Sequence, residues 1–239
     1  MTGIHADHRR LAVGIGAAAA GALGYWLPSA ALVSGAARRA FGVEAGVPRA
    51  DAFALTFDDG PHPQGTPRVL AELERRGATA AFFLAGEQVE RFPALAAEVA
   101  AAGHEVGVHC HRHRNLMRLT PRQVRDDVAR AASAIAGATG REPRLYRPPY
   151  GILTAAALAA ARAHRWRTVL WTSDGHDWQA RATPRSIAAR VLARLEGGGV
   201  VLLHDADWYS AAGSWERTAA AIAPILDDAA ARGLRPIGL

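Results

Sequence analysis

After residue 50, short apolar runs alternate regularly with segments that carry the apolar periodicity of amphipathic helices. Each run has about the length of a buried strand, and each intervening segment is long enough to cross back over a sheet. This alternation predicts a mainly parallel sheet, because parallel neighbours need crossover connections. The predicted strands are Ala52–Phe57, Ala78–Leu84, Glu105–Val108, Arg144–Arg147, Arg167–Trp171, Val200–Leu203 and Leu234–Ile237.

Three of the intervening segments begin with recognised helix start signals. Thr66, Thr120 and Thr183 each stand directly before a proline, which is the order of an N-cap and a first-turn residue. Gln123 lies three residues after Thr120 and completes a capping box. The chain after residue 50 is therefore expected to form one α/β domain, with its sheet either open or closed into a barrel.

The first 40 residues have a different character. No charged residue occurs between Leu11 and Ala37, and arginine pairs flank this run on both sides. A run of this length can span a bilayer, serve as a secretory signal, or pack as a buried helix on the domain. Export or anchoring agrees best with the length and the flanking charges. We therefore expect residues 1–41 to form a membrane anchor or signal segment, 42–50 a linker, and 51–239 the folded domain.

Charge and cysteine content are less informative. The formal net charge is +6, and every one of the 28 cationic residues is an arginine. Such a surface suits an anionic partner, but a solvated arginine-rich surface explains it more simply, because net charge alone is weak evidence for a partner. Cys110 is the single cysteine, so an intrachain disulfide is excluded and stability depends on the core.

Five polar clusters follow predicted strands at the points where those strands end. In parallel sheets the carboxyl ends of the strands meet at one edge, where active sites assemble. Five clusters at one edge are hard to explain as surface decoration, so we expect an active site there. The clusters are Asp58-Asp59, residues 109–113, residues 147–151, residues 173–178 and His204-Asp205.

The pattern of histidines and acids predicts a metal site. His109 and His113 are four residues apart, within reach of one ion in a helix or a compact loop. Either Asp58 or Asp59 can supply a carboxylate ligand, and the other acid can then act as a general base. The histidine spacing alone is weak evidence, and the acid pair at the same edge strengthens it. Two imidazoles and a carboxylate suit Zn²⁺ first, and Co²⁺, Ni²⁺ or Mn²⁺ as alternatives.

In chain order the clusters read TFDDGPH, GHEVGVHCHRHRN, RPPYG, SDGHDW and VVLLHD. Together they resemble the five motifs of the polysaccharide deacetylases, carbohydrate esterase family four, with a NodB-homology domain. The resemblance extends from about Ala52 to Leu239. It implies a distorted (β/α)7 barrel of the α/β class, preceded here by an apolar N-terminal helix. It also implies that residues 51–239 are the catalytic domain of a metal-dependent hydrolase that removes acetyl groups from sugars.

The resemblance implies roles for the residues of the first two motifs. Asp58 matches the catalytic base of the family, and Asp59 matches the carboxylate that binds the metal. His109 and His113 match the two imidazole ligands. The resemblance thus assigns the two adjacent acids to different tasks.

Further roles follow from the remaining motifs. Arg147 is expected to hold the base through a charge-assisted hydrogen bond, and Tyr150 to offer its backbone N–H to an oxyanion. His204 matches the general acid. Asp174 and Asp177 both stand near enough in sequence to orient it, and Asp177 is favoured because it adjoins the tryptophan of the motif.

The pocket walls are expected to include Trp178 and Leu202, which would enclose the methyl of the acetyl group. The second motif departs from the family pattern at two flanking positions, since Cys110 and Arg114 stand where many members have Ser or Thr and Pro. We expect metal binding to survive these changes, substrate contacts to differ, and Cys110 to be a small buried residue. The aromatic residues after His204 either line a sugar groove or cover the barrel edge; they are Trp208, Tyr209 and Trp215.

These observations favour a hydrolase that removes N-acetyl groups from a glycan, with peptidoglycan as the first candidate substrate and chitin-type N-acetylglucosamine polymers as the next. An O-acetyl esterase acting on xylan, or a catalytically silent glycan-binding envelope protein, would present the same motifs. Phosphoester hydrolysis is disfavoured because the sequence contains no glycine-rich phosphate loop. We expect an acetylated glycan and, through the N-terminal segment, a membrane as partners. We further expect no nucleic-acid partner, a monomer, and a location in the cell envelope.

Overall fold

The computed structural model describes residues 24–239, and nine strands within them form one curled sheet in which all strand pairs are parallel. The strands are β1 Val43–Glu44, β2 Ala52–Asp58, β3 Ala81–Ala85, β4 Glu105–Cys110, β5 Leu145–Tyr146, β6 Arg167–Val169, β7 Ser173–Asp174, β8 Val200–His204 and β9 Arg235–Ile237. Among the described residues no pairing joins β1 to β7, so the sheet is the predicted barrel with a break in its wall. The order of the strands in the sheet is β1-β6-β5-β4-β3-β2-β8-β7, with β9 beside the start of β2.

Helices cover the outside of the sheet. The expected capping box forms at Thr120, and Thr183 forms another with Ser186. Thr66 does not cap a helix, because the helix begins one residue earlier, at Gly65; its hydroxyl donates to Asp205 at 2.5 Å. The α-helices are α1 Gly35–Phe41, α2 Gly65–Arg75, α3 Gly86–Arg91, α4 Pro93–Ala101, α5 Pro121–Thr139, α6 Ala155–Ala163, α7 Pro184–Leu192 and α8 Ser214–Ala231, and 3₁₀ turns occupy Leu27–Leu32, Leu116–Arg118 and Pro149–Gly151.

Strand β2 lies in the middle of the core. All seven of its residues are buried, as expected for a parallel strand that is covered on both faces. The rings of Phe57 and Phe82 stack at 5.1 Å between centroids and join β2 to β3. On its other side β2 pairs with β8 in a register that puts Asp58 opposite His204. The first and last sequence motifs therefore meet at the centre of the sheet.

All seven predicted strands are present, and two further strands were not predicted. Strands β1 and β7 are only two residues long, so neither carries a readable alternation of apolar and polar residues. Strand β1 lies within the segment predicted to be a linker, residues 42–50, where Val43 pairs with Thr168 of β6. Part of that segment thus belongs to the sheet.

The segment before β1 packs on the domain from Tyr25 onward. The hydroxyl of Tyr25 donates to the carbonyl of Leu119 at 3.2 Å, and that of Ser29 donates to the carbonyl of Leu153 at 2.9 Å. Between residues 24 and 239, no helix combines the length and the apolar character needed to cross a bilayer. Most of the predicted anchor or signal segment, residues 1–23, lies outside the described residues.

Two glycines provide a matched test of the packing between strands. A Cβ at Gly107 of β4 would lie 2.8 Å from the Cβ of Leu145 and 2.9 Å from the ring of Phe83. A Cβ at Gly137, on the exposed surface of α5, would meet nothing within 4 Å. We expect Gly107→Ala to lower the free energy of unfolding by about 1–3 kcal/mol through overpacking. Gly137→Ala should raise it by about 0.5–1 kcal/mol through helix propensity.

Urea unfolding followed by circular dichroism measures both changes. Equal midpoints for Gly107→Ala and the unsubstituted protein would contradict the close approach of β3, β4 and β5 at this position.

Candidate active site

The polar clusters predicted from the sequence come together around one cavity of about 270 Å³ at the carboxyl edge of the sheet. Eight of the ten predicted site residues line it, while Arg147 and Asp177 are fully buried behind its wall. The lining residues are Asp58, Asp59, His109, His113, Tyr150, Gly151, Trp171, Trp178, Leu202, His204, Tyr209 and Ser210.

Three of these side chains form a cluster with the geometry of a metal site. Asp59, His109 and His113 each offer a ligand atom, and these atoms lie within 4.8 Å of one another. Asp59 follows β2 with a φ of 80°, in a tight turn that carries its carboxylate to the histidines. Its Oδ1 lies 3.4 Å from Nε2 of His109 and 3.6 Å from Nε2 of His113.

The electrostatics of this cluster fit a divalent cation. Burial lowers the pKa of both His109 and His113 to about 3, so both imidazoles are neutral, as metal ligands must be. Burial also raises the pKa of Asp59 to about 7. The positive charge of His204 opposes this rise, and the negative charge of Asp58 adds to it. Within residues 24–239, Oδ1 of Asp59 has no hydrogen-bond partner. A bound cation would compensate this buried oxygen, so the residues present fit the metal that the motifs imply.

Asp58 is held by a buried arginine. Nη1 of Arg147 donates to Oδ1 of Asp58 and to Oγ1 of Thr56, each at 2.7 Å, and Nε donates to the carbonyl of Val169 at 3.1 Å. Burial raises the pKa of Asp58, and the charges of Arg147 and His204 oppose that rise. Arg147 thus fixes one carboxylate oxygen and favours the ionised form that a general base requires.

His204 is paired with Asp177. Nδ1 of His204 lies 2.9 Å from Oδ1 of Asp177, and its backbone N–H donates to Oδ2 at 2.7 Å. Thr218 also donates to Oδ2, at 2.8 Å. Burial alone disfavours the imidazolium, but the charge and hydrogen bond of Asp177 prevail and raise the pKa of His204 to about 10. Asp174 instead contacts Arg190, at 3.1 Å. Asp177 is therefore the partner of His204, as we expected from its position next to Trp178.

The remaining predicted residues form the mouth and wall of the cavity. Tyr150 has a φ of 59° and Gly151 a φ of 67°, so the chain turns sharply after β5 and leaves the Tyr150 side chain largely exposed. The ring of Trp178 meets the imidazole of His204 edge-on at 5.4 Å. Leu202 is buried on β8. These side chains form the apolar part of the wall.

The three aromatic residues after His204 divide between the two roles left open by the sequence. Tyr209 lines the cavity and stacks on His113, with ring centroids 4.6 Å apart and planes at 17°. Trp208 and Trp215 instead pack around the ring of His62, at 4.6 and 5.7 Å, and cover the barrel edge. Sequence reasoning did not distinguish Tyr209 from its neighbours, because nothing in the sequence indicates the direction of each ring.

Sequence reasoning also missed Asp127, which lies on α5 and supports the loop between the two histidines. Its carboxylate accepts the backbone N–H groups of His111 at 2.7 Å and Arg112 at 3.3 Å. It also accepts Nη2 of Arg114 at 2.6 Å. Arg114, a departure from the family pattern, therefore strengthens the attachment of this loop to α5. Cys110 is buried, as expected.

Comparison with known proteins identifies the family. The family model described as polysaccharide deacetylase matches residues 45–169. The chain belongs to the polysaccharide deacetylase family. Membership confirms the family inferred from the motifs and makes the protein a metal-dependent hydrolase of carbohydrate esterase family four.

Two relatives and one solved structure illustrate the similarity. A chitooligosaccharide deacetylase of Bradyrhizobium is 42% identical over 152 residues, which are 63% of this chain and 69% of that protein. A peptidoglycan-N-acetylglucosamine deacetylase of Bacillus cereus is 35% identical over 185 residues, which are 77% of this chain and 84% of that protein. The crystal structure of the Bc1960 peptidoglycan N-acetylglucosamine deacetylase superposes with a TM-score of 0.76 at 29% identity, and covers 82% of this chain and 90% of that one.

The pairing of His204 with Asp177 predicts an unusual titration. In the metal-free protein the His204 imidazole should remain protonated until the pH rises to about 10. Asp177→Asn removes the charged partner and should lower the pKa of His204 by about 1–3 units. Asp174→Asn, which changes an acid of the same motif that contacts Arg190, should leave it unchanged. NMR of the imidazole ¹⁵N signals measures all three; a pKa of His204 near 6.5 in the unsubstituted protein would contradict the pairing.

Proposed function

We propose that this protein removes N-acetyl groups from N-acetylglucosamine-containing glycans of the cell envelope, with peptidoglycan first and chitin-type oligomers second. The observation that carries the proposal is one cavity that contains a metal-donor cluster, an arginine-held carboxylate and a protonated imidazole. Hydrolysis of an amide needs all three: activation of the carbonyl, a base for water, and an acid for the amine. The named activities of the Bradyrhizobium and Bacillus cereus relatives support the substrate class.

Asp59, His109 and His113 would hold the cation, with Zn²⁺ preferred by this donor set and Co²⁺, Ni²⁺ or Mn²⁺ as alternatives. When bound, such an ion supplies Lewis-acid chemistry, in which the carbonyl is polarised and the pKa of water is lowered.

Asp58 would take the proton from the attacking water. Arg147 holds Oδ1 of this carboxylate, and its positive charge favours the ionised form against the burial that raises the pKa of Asp58. The base therefore cannot rotate away from the cavity, and it keeps one oxygen for the proton. Tyr150 would offer its backbone N–H to the oxyanion of the tetrahedral intermediate, since such donors stabilise developing charge.

His204 would give its proton to the departing amine. An amine is a poor leaving group unless it is protonated, and the raised pKa of His204 keeps the required proton in place before reaction. Asp177 fixes the orientation of the ring, because its Oδ1 holds Nδ1–H and directs Nε2–H of His204 toward the cavity; the Nδ1 proton stays in place when the Nε2 proton is given up.

The size and walls of the cavity suit an acetamido group. At about 270 Å³ it lies below the usual range of pockets for whole small molecules. The acetyl methyl would contact Trp178 and Leu202, while the sugar chain runs across the mouth past Tyr150. The proposed location in the cell envelope is supported by the uncharged run from Leu11 to Ala37 and by the peptidoglycan-acting relatives.

Removal of the metal should abolish acetate release. The full chain would be stripped with a chelator and assayed on N-acetylglucosamine oligomers, on peptidoglycan and on acetylated xylan, before and after addition of Zn²⁺, Co²⁺ or Mn²⁺. We expect release only with metal, because the carbonyl is otherwise too weak an electrophile. Release that persists unchanged in the chelator would contradict the role of the donor cluster. Release from xylan alone would favour the O-acetyl esterase.

Asp58→Asn should lower kcat by about 10²–10⁴-fold, the usual contribution of a positioned general base. The matched control is Asp126→Asn, which makes the same change at an exposed acid of α5 and should leave kcat unaltered. Bound metal is measured in parallel, because Asp59 rather than Asp58 belongs to the donor set. Full activity of Asp58→Asn would refute its role as the base. If the unsubstituted protein binds metal stoichiometrically but releases no acetate from any substrate, the result would indicate a silent glycan-binding protein.

A further inference from the structure

The two histidines of the donor cluster are held in different ways. His109 is fixed by a hydrogen bond, because its Nδ1 lies 2.8 Å from the carbonyl of Arg147 and its Nε2 therefore faces Asp59. His113 has no equivalent bond: its Nδ1 is buried and has no hydrogen-bond partner within residues 24–239. Metal-binding histidines usually donate their second ring nitrogen to a partner that sets the ring orientation. The orientation of His113 must therefore come from packing.

Two tyrosines enclose the ring of His113. Tyr209 lies almost parallel to it, with centroids 4.6 Å apart and an interplanar angle of 17°. Tyr150 meets it edge-on at 4.5 Å and 74°. A planar ring between a stacked face and an edge has little freedom to rotate, so this packing supplies the restraint that a hydrogen bond supplies for His109.

Tyr209 is itself firmly held, although it lies on the loop after β8. Its hydroxyl donates to Oε1 of Glu87 at 2.5 Å and accepts Nε2 of Gln88 at 3.3 Å. Both partners belong to α3, which follows β3. Because β2 lies between β3 and β8 in the sheet, this contact passes across the end of β2, where Asp58 and Asp59 lie.

The same helix also contacts the loop that carries the histidines, since the backbone N–H of Glu87 donates to the carbonyl of His111 at 3.0 Å. Helix α3 thus fixes both the loop of His113 and the ring that stacks on it. We infer that Tyr209 is a positioning residue of the metal centre, which sets the orientation of His113 by stacking. The inference rests on the proposed metal site, but not on the identity of the glycan. Tyr209 lies outside the range matched by the family model.

The test compares neighbouring aromatic residues of one loop. The Zn²⁺ dissociation constant of the full chain is measured by competition with a chromogenic chelator for Tyr209→Leu, Tyr209→Phe and Trp208→Leu. Tyr209→Leu removes the stacked ring and should weaken Zn²⁺ binding by about 10–100-fold, the usual effect of losing a residue that orients a metal ligand. Tyr209→Phe keeps the ring and should lose less affinity. Trp208 packs on His62, which is not a metal ligand, so Trp208→Leu should leave the Zn²⁺ dissociation constant unchanged.

Several results would overturn the inference. The first is a Zn²⁺ dissociation constant that does not change in Tyr209→Leu. The second is a loss of Zn²⁺ affinity in Trp208→Leu or in Tyr209→Phe that equals the loss in Tyr209→Leu. Thermal unfolding of the metal-free proteins checks that each variant folds. If Tyr209→Leu does not fold, Tyr209→Met is used in its place. Because the readout is metal binding, a failure of the deacetylase proposal would be seen separately, as bound Zn²⁺ without acetate release.

Discussion

The rest of the site depends on the hydrogen bonds and the ion pair formed by Arg147, whose guanidinium is buried. Through its side chain it joins Asp58 and Thr56 on β2 to the carbonyl of Val169 on β6, and its own carbonyl orients His109 on β4. A fully buried charge is costly unless it is paired and hydrogen-bonded, so the three partners of the guanidinium, Asp58, Thr56 and the Val169 carbonyl, are constrained by that cost. Through its side chain and its backbone carbonyl, this one residue therefore couples the base, one metal donor and three strands.

The cavity also keeps chemically identical side chains in opposite states. His109 and His113 are neutral because burial excludes water and no carboxylate is tightly paired with either ring. His204 is also largely enclosed, but the charge of Asp177 and its hydrogen bond to Nδ1 make the imidazolium the stable form. The assignment of metal ligand and acid is thus set by the neighbours of each ring rather than by its chemistry.

The sequence predicted features that arise from local pattern. Seven strands were readable because each is an apolar run bounded by turns, and the five clusters were readable because parallel strands bring their carboxyl ends together. Features that depend on the direction of a side chain in three dimensions were not readable. Tyr209 and Trp208 are adjacent aromatic residues whose rings pack on different partners. Asp127 has the sequence context of an ordinary acid on a helix, and only the structure shows that it accepts the backbone N–H of His111. Strand β1 was too short to show a pattern.

The register between β2 and β8 has a consequence for how such a protein can diversify. Asp58 and His204 occupy paired positions of adjacent hydrogen-bonded strands, so their separation follows from the spacing of a β-sheet, about 4.8 Å between strands. That spacing is a constant of the peptide backbone. Insertions and replacements in the surrounding loops can therefore reshape the groove for new sugars, while the backbone separation of the two residues that carry the proton acceptor and the proton donor stays fixed.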